Sequence, residues 1–389
     1  MICGRFIKIG IFLILGLQII SCKEIYKPPS ILKNPGFLVV DGFLNAGSDS
    51  TIIRLSRTRN LDSIVPIPET NAQVIVMGAL GETFLMPEKG SGRYIIDHLP
   101  LNTGEIYQLK IITNDNRIYQ SDTFPSMRTP PVDRLSWKQD VNGVTIKANA
   151  HDPQNKTRNY RWEYVETWEY HTGKLTVVDY DGSKVVFRSN DNLIYYCWMT
   201  LPSTNIIVGS TSKLSEDVVS GQVICEVPAA SEKMSYTYSI LVSQYGITTD
   251  AYNYWQDLRK NNDLTGSIFD AQPSQLTGNI HCLSNPEEMV LGFMGASTVE
   301  KKRIFINKEE LTDWGYLPYY IECSTSLSAY KQVDINDPRR QEILFDYLLK
   351  PNYSFTLLDS GVSGYLLVQN FCADCREHGG INKKPSFWP

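Results

Sequence analysis

The chain has 389 residues, a net charge of −5 and an isoelectric point near 5.7; its apolar share is 42% and its charged share 20%. That length is enough for two or three domains with packed cores, and the composition excludes wholesale disorder. An acidic chain of this kind lacks the clustered basic surface that nucleic acid requires, so no nucleic-acid partner is expected. Tyr (22), Phe (14) and Trp (7) are abundant, which favours strands over helices.

Residues 1–21 read as a leader. Arg5 and Lys8 precede an uncharged apolar run from Ile9 to Ile20, too short to span a bilayer core, which takes about 20 residues. Ser21-Cys22 follows, a small residue before a cysteine, in the order of a bacterial lipobox. Cys22 is the predicted lipidation site and the first residue after cleavage; an ordinary signal peptide that happens to hold a cysteine is the alternative. Removing residues 1–21 takes away Arg5 and Lys8 and no acid, so the net charge goes from −5 to −7. Residues 22–35, with Pro28-Pro29, read as a tether.

Short strands follow. Phe37–Gly42, Thr51–Arg57, Ala72–Met77, Thr83–Met86, Gly92–Ile96, Ile106–Ile112 and Arg117–Ser121 recur with turn residues every 8–12 positions. They predict an N-terminal β-sandwich of immunoglobulin or transthyretin type over residues 36–130. Thr129-Pro130-Pro131 marks a boundary, because paired prolines stop both sheet and helix. Residues 131–389 are expected to form a β-rich domain with two or three short helices, so the fold class is mainly β.

Within that region Val144–Ala148, Tyr160–His171 and Tyr236–Tyr245 read as strands. In the second of these, Tyr160, Trp162, Tyr164, Trp168 and Tyr170 alternate with Arg161, Glu163, Thr167 and Glu169. The aromatic face reads as core, with a stacking platform for sugar or peptide as the alternative. Asp250 is expected to cap a helix over Ala251–Lys260, with Tyr252, Trp255 and Leu258 on one stripe and Asn261-Asn262 ending it. Asp337-Pro338 is expected to open a second helix over Arg339–Lys350.

Phosphate-binding glycine loops, His-Glu-x-x-His and Gly-x-Ser-x-Gly are not found in the sequence. Cysteine is the informative residue. After Cys22 come Cys197, Cys225, Cys282, Cys323, Cys372 and Cys375, an even number in an exported chain, so all six are disulfide candidates in any of fifteen pairings. Cys372 and Cys375 are expected to be oxidised, to each other or to one of the other four. With His378 they also sketch part of a metal site, which nothing else in the sequence completes; no metal and no cofactor is expected.

Several stretches in order resemble a family of Bacteroidota lipoproteins, domain of unknown function 4249. They are Leu38–Gly42 with Leu55–Thr58, Ser239–Tyr245 with Ala251–Trp255, then Gly266–Asp270, Gln272–Ser274 and Gly278–Ile280. The last is Cys372–Arg376 with Gly379-Gly380, Lys384-Pro385 and Phe387-Trp388. The resemblance spans residues 22–389 and implies a lipid-anchored outer-membrane protein, often accompanying a TonB-dependent transporter. It carries over no catalytic residue. Lys23-Glu24 is similar to a surface-export signal, which implies the cell surface; the periplasmic face is the alternative. The expected function is a non-enzymatic accessory or ligand-binding partner of such a transporter, for a small-molecule or peptide ligand. A structural or adhesive lipoprotein is the second expectation and an extracytoplasmic hydrolase the third.

Overall fold

A computed structural model describes residues 36–59, 65–263, 276–316, 323, 330–350 and 354–389. The leader, Cys22, the tether at 22–35 and the stretches Gly266–Asp270 and Gln272–Ser274 lie outside the described residues. The chain is mainly β, arranged as two sandwiches and a smaller C-terminal unit.

The first sandwich uses β1 (Leu38–Asn45), β2 (Thr51–Arg57), β3 (Ile67–Pro68), β4 (Gln73–Gly78), β5 (Thr83–Met86), β6 (Arg93–Ile96), β7 (Ile106–Ile112), β8 (Ile118–Ser121) and β9 (Phe124–Met127). One layer pairs β1, β2 and β6 antiparallel, and the other pairs β5, β4, β7 and β8 antiparallel. Alternation in each strand sends Leu38, Val40, Ile53, Leu55, Val74, Val76, Leu109 and Ile111 into one core, so the period of two sets the layers.

The second sandwich follows Pro130-Pro131, with β10 (Val132–Asp140), β11 (Gly143–His151), β12 (Asn159–His171), then the hairpin β13 (Val178–Tyr180) and β14 (Val185–Phe187), and β15 (Tyr196–Pro202), β16 (Ile207–Ser210), β17 (Val218–Pro228) and β18 (Thr237–Gly246). The sheet β10–β11–β17 faces the sheet β15–β12–β18. Between them lie Tyr160, Trp162, Tyr164, Trp168 and Tyr170, all buried, so the aromatic stripe is core. Trp162 donates from Nε1 to Gln244 at 2.9 Å, and Tyr160 donates to the buried Asp217 at 2.5 Å, so both polar ends are satisfied.

Helix α1 (Thr249–Asp263) comes next. Thr248 Oγ1 accepts from the Ala251 amide at 3.2 Å, so Thr248 caps this helix where Asp250 was expected, and the helix runs on through Asn261-Asn262. It packs between the sandwiches, with Phe43 and Phe293 from the first and Val208, Ile247 and Tyr245 from the second.

The chain then returns. β19 (Ile280–Cys282) joins the edge of β8, and β20 (Ala296–Ser297) runs parallel between β1 and β9. Ile280, Cys282, Val290, Met294 and Ala296 complete the first core. The first sandwich is therefore discontinuous: residues 36–130 do not contain all of it, and the region after 131 supplies two of its strands. Gly292 lies so close to β1 that a Cβ there would sit 2.1 Å from the Val40 carbonyl oxygen, and a Cβ at Gly278 would sit 1.9 Å from that of Gly292. Asn279 stands in for a strand partner, accepting from the Met294 amide at 2.8 Å and donating to its carbonyl at 2.9 Å. Two residues after Ser297 the chain is back in the second sandwich as β21 (Val299–Asn307), beside β18.

The two crossings between sandwiches are tied together. The Thr129 amide donates to Thr298 Oγ1 at 2.9 Å, its Oγ1 lies 3.2 Å from Ser297 Oγ, and Gly246 donates to the same Oγ1 at 2.9 Å. The C-terminal unit is the sheet β22 (Tyr330–Asp334), β24 (Gly364–Gln369), β23 (Phe355–Gly361), covered by α2 (Arg340–Leu348) and ending in the short α3 (Asn370–Ala373). Asp337-Pro338 precedes α2 by two residues, and Asp337 accepts from the Arg339 amide at 2.8 Å.

Candidate functional site

Four of the six cysteines pair. Cys197 in β15 is bonded to Cys375 and Cys323 to Cys372, with Cα separations of 5.7 and 5.6 Å. Cys372 and Cys375 are therefore both oxidised, though not to each other. Cys372 lies in α3 and Cys375 opens the next turn, which Asp374 caps by accepting from the Arg376 amide at 3.0 Å. The two sulfurs leave in different directions, and the C-x-x-C becomes a junction between the C-terminal unit and the second sandwich.

Cys225 and Cys282 correct the expectation of six paired cysteines. Both are free and buried. Cys225 lies on β17 inside the second core and Cys282 on β19 inside the first, so each thiol is walled in by its own sandwich.

Cys225 has charged company. Its Sγ is 3.8 Å from Oε1 of the buried Glu166, which accepts from Lys233 Nζ at 2.6 Å and from the Tyr238 hydroxyl at 2.9 Å. Glu166 was legible as a buried acid: the alternation that puts Trp162, Tyr164 and Trp168 on one face puts Glu166 there too. Burial, reinforced by the Glu166 charge, pushes the Cys225 thiol up to about 11. A thiol held protonated at neutral pH is a poor nucleophile, so this group serves the core.

A second polar constellation sits at the pole of the first sandwich where the chain enters at Gly36. Arg57 donates to Glu69 at 2.5 Å, to Glu288 at 3.3 Å, to the Tyr119 hydroxyl at 3.1 Å and to the Gly36 carbonyl at 3.2 Å. Arg117 adds a 3.0 Å contact to Glu288, and Tyr119 donates to Glu288 at 2.6 Å. Burial opposes the Arg57 charge, but the bonds to Glu69 and Tyr119 outweigh it and hold the guanidinium above its ordinary pKa. Burial and the bond to Glu288 lift Tyr119 to about 12. The network pins the returning segment to the start of the fold.

Open space gathers at the joints. A cleft of about 420 Å³ lies between the first sandwich and α1, lined by Asp122, Asp250, Asn253, Tyr254, Asp257 and Phe293 among others. Asp122 meets His281 at 3.0 Å and Asp257 meets Lys260 at 3.0 Å, so part of its acidity is answered locally. A larger cleft of about 570 Å³ runs along Arg128, Pro130, Pro131, Asp152 and Lys156, and a third of about 250 Å³ holds Asp41, Arg54, Arg161, Glu163 and Lys301. These sizes suit small molecules or single side chains of a partner.

No curated protein matches the chain. Among solved structures, a two-domain fibronectin type-III segment of chicken tenascin is 13% identical, covering 54% of this chain and 90% of its own, with a TM-score of 0.15. The chicken interferon gamma receptor alpha chain is 11% identical, covering 55% and 90%, with a TM-score of 0.16. The FN1–FN3 domains of chicken CNTN1 are 14% identical, covering 54% and 62%, with a TM-score of 0.18. The family match spans both sandwiches and ends within β21, short of the Cys372–Trp388 stretch that the resemblance had included. By that match, over residues 23–303, the chain belongs to the family described as domain of unknown function DUF4249.

Proposed function

We propose that the protein is a lipid-anchored outer-membrane protein of a Bacteroidota cell, displayed on its surface, that works without catalysis as an accessory or ligand-binding partner of a TonB-dependent transporter. The observation that carries this reading is the basic, apolar, small-residue, cysteine order of residues 5–22 in front of a folded region joined by two disulfides. Disulfides of this kind persist in oxidising compartments, and acylated cysteine holds a polar chain to a bilayer without a spanning helix. Among the described residues no helix is long and apolar enough to cross a membrane.

The tether reaches the fold at Gly36, whose carbonyl accepts from Arg57 at 3.2 Å. Residues 22–35 span up to ~45 Å when extended, so the anchored fold can present any of its clefts to a transporter or its cargo.

The test is intact mass and fractionation in native cells. Mature protein is expected to begin at Cys22 with acyl chains on it, and Cys22→Ser is expected to release it from the membrane. Mild detergent extraction through a tag at Pro389 is expected to bring a stoichiometric outer-membrane barrel that survives ~0.5 M salt, where exposed ion pairs are screened. A protein that keeps Met1 and is soluble without detergent ends the anchoring reading. One that is anchored but always elutes alone ends the transporter reading in favour of adhesion.

A further inference from the structure

The last nine residues cross the outward face of the sheet β15–β12–β18–β21. Ile381 exchanges both backbone hydrogen bonds with Trp198 on β15, at 2.9 and 3.1 Å, where no other described strand pairs that edge. Three strand spacings of ~4.8 Å make the face about 14 Å wide, and the seven residues from Ile381 to Phe387 reach farther than that when extended. At the far side Phe387 lies over Arg303 of β21, with the guanidinium carbon 3.6 Å from the ring centroid. Between them Trp388 is only 8% exposed, set edge-on against Trp198 at 6.4 Å and Phe305 at 5.6 Å.

The register places a row of hydroxyls across this face: Thr200 beside Thr167, Thr167 beside Ser239, and Ser239 beside Phe305. Thr167 and Ser239 of that row are fully buried and Thr200 is exposed, and two donors beside the strap are short of acceptors. Half-buried Arg303 donates to Ser239 Oγ at 2.9 Å, and among the described residues no carboxylate pairs with it. Burial lowers its pKa, with no acid to offset the loss of water. The Trp198 Nε1 donor is buried without a partner. A buried donor without an acceptor is destabilising, so the strap fits the groove in shape better than in hydrogen bonding.

We propose that this face is a peptide-docking groove that the chain's own strap, Ile381–Pro389, keeps filled, and that its external occupant is an extended acidic peptide segment of a partner protein carrying an aromatic side chain. The aromatic ring takes the Trp388 slot between Trp198 and Phe305. The acid supplies the acceptor that Arg303 lacks. The inference does not depend on where the chain is anchored.

The test uses the full chain with Trp388→Ala and two synthetic nonapeptides: the sequence of residues 381–389, and an acidic version with Lys383→Ala, Lys384→Ala and Phe387→Glu, which puts a carboxylate where the Phe387 ring lies over Arg303. Fluorescence anisotropy is expected to show the acidic peptide binding the Trp388→Ala chain at least about tenfold more tightly than it binds the unaltered chain, whose slot is occupied, and more tightly than the basic peptide binds. Adding Arg303→Met is expected to weaken the acidic peptide about tenfold or more. Failure of both peptides to bind a Trp388→Ala chain that keeps both disulfides by mass overturns the proposal, as does binding indifferent to Arg303→Met. If Trp388→Ala loses its disulfides, Phe387→Ala uncovers Arg303 while leaving the indole in place, and the same criteria apply. Binding of a polyanionic glycan with neither peptide bound replaces the peptide reading.

Discussion

The two sandwiches and the C-terminal unit are stabilised by different means. Among the described residues the sandwiches bury 21 and 24 side chains in their main cores; the first contains no disulfide, and the second contains only Cys197–Cys375, the bond that ties the C-terminal segment to it. The main core of the C-terminal unit buries six, Val333, Leu344, Leu357 and Leu367 of its own with Val178 and Tyr180 lent by the β13 hairpin, and both disulfides attach to its ends. A small core cannot supply enough apolar burial to hold itself, so covalent ties appear where the core is thin. The free thiols, by contrast, sit where burial is plentiful and act as small apolar side chains.

That contrast can be broken most forcefully at Cys197–Cys375. The bond spans 178 residues, and on the chain-entropy account a loop of that length contributes on the order of 4–5 kcal/mol. Replacing both cysteines by serine is expected to split thermal unfolding into two transitions, with the C-terminal unit melting first. A single transition at an unchanged midpoint would show that the unit docks without its staple.

The next effect tests whether polar ties matter inside the sandwiches. Arg57→Met leaves Glu69 and Glu288 facing each other in a largely buried pocket, and is expected to cost about 3–4 kcal/mol in a urea melt. Glu288→Gln on top of it is expected to restore part of the loss. If the first substitution is silent, the pole is wetter than its burial indicates.

A smaller effect is chemical. In native protein Cys225 and Cys282 are expected to resist a thiol reagent at pH 8 because both are buried, and Cys225 also because its pKa is raised. Denaturation without reductant is expected to release two thiols from the folded region, and six would contradict both disulfides. The smallest effect belongs to the surface. His151 meets Asp133 at 2.8 Å, and that hydrogen bond raises its pKa while the ring stays in water. A raised folded value means that its contribution is complete below the ordinary value of about 6.5 and fades as pH climbs through the raised one. His151→Ala is expected to leave alkaline stability unchanged and remove a slight gain on acidification, readable as a melting temperature followed from pH 5 to 8.

Local patterns in the sequence were a reliable guide where the answer was local. The strand predicted over Thr51–Arg57 is β2 residue for residue, and the Tyr160–His171 alternation is β12 less its first residue. The aromatic stripe, the Pro130-Pro131 break and the main helices follow from period and punctuation. The return of residues 279–297 left no such mark, because β20 has two residues and its pairing is parallel to strands more than 150 positions earlier. What identifies it is Gly278, Asn279 and Gly292, whose roles show only once β1 lies against them. Disulfide partners were likewise hidden: six cysteines permit fifteen pairings, and only three-dimensional position selects among them. The strap groove depends on register across four strands, which no single segment encodes.

The returning segment also sets a timetable. A chain made and moved N-terminus first presents residues 36–130 long before β19 and β20 exist, and β1, β8 and β9 wait with unpaired edges while some 150 further residues appear. Open strand edges of that kind are where neighbouring chains join, and pairings so distant in sequence are slow to form. The first sandwich, though it leads the chain, is therefore expected to be among the last parts to close, and a chain cut short before residue 279 should aggregate rather than yield a smaller working domain.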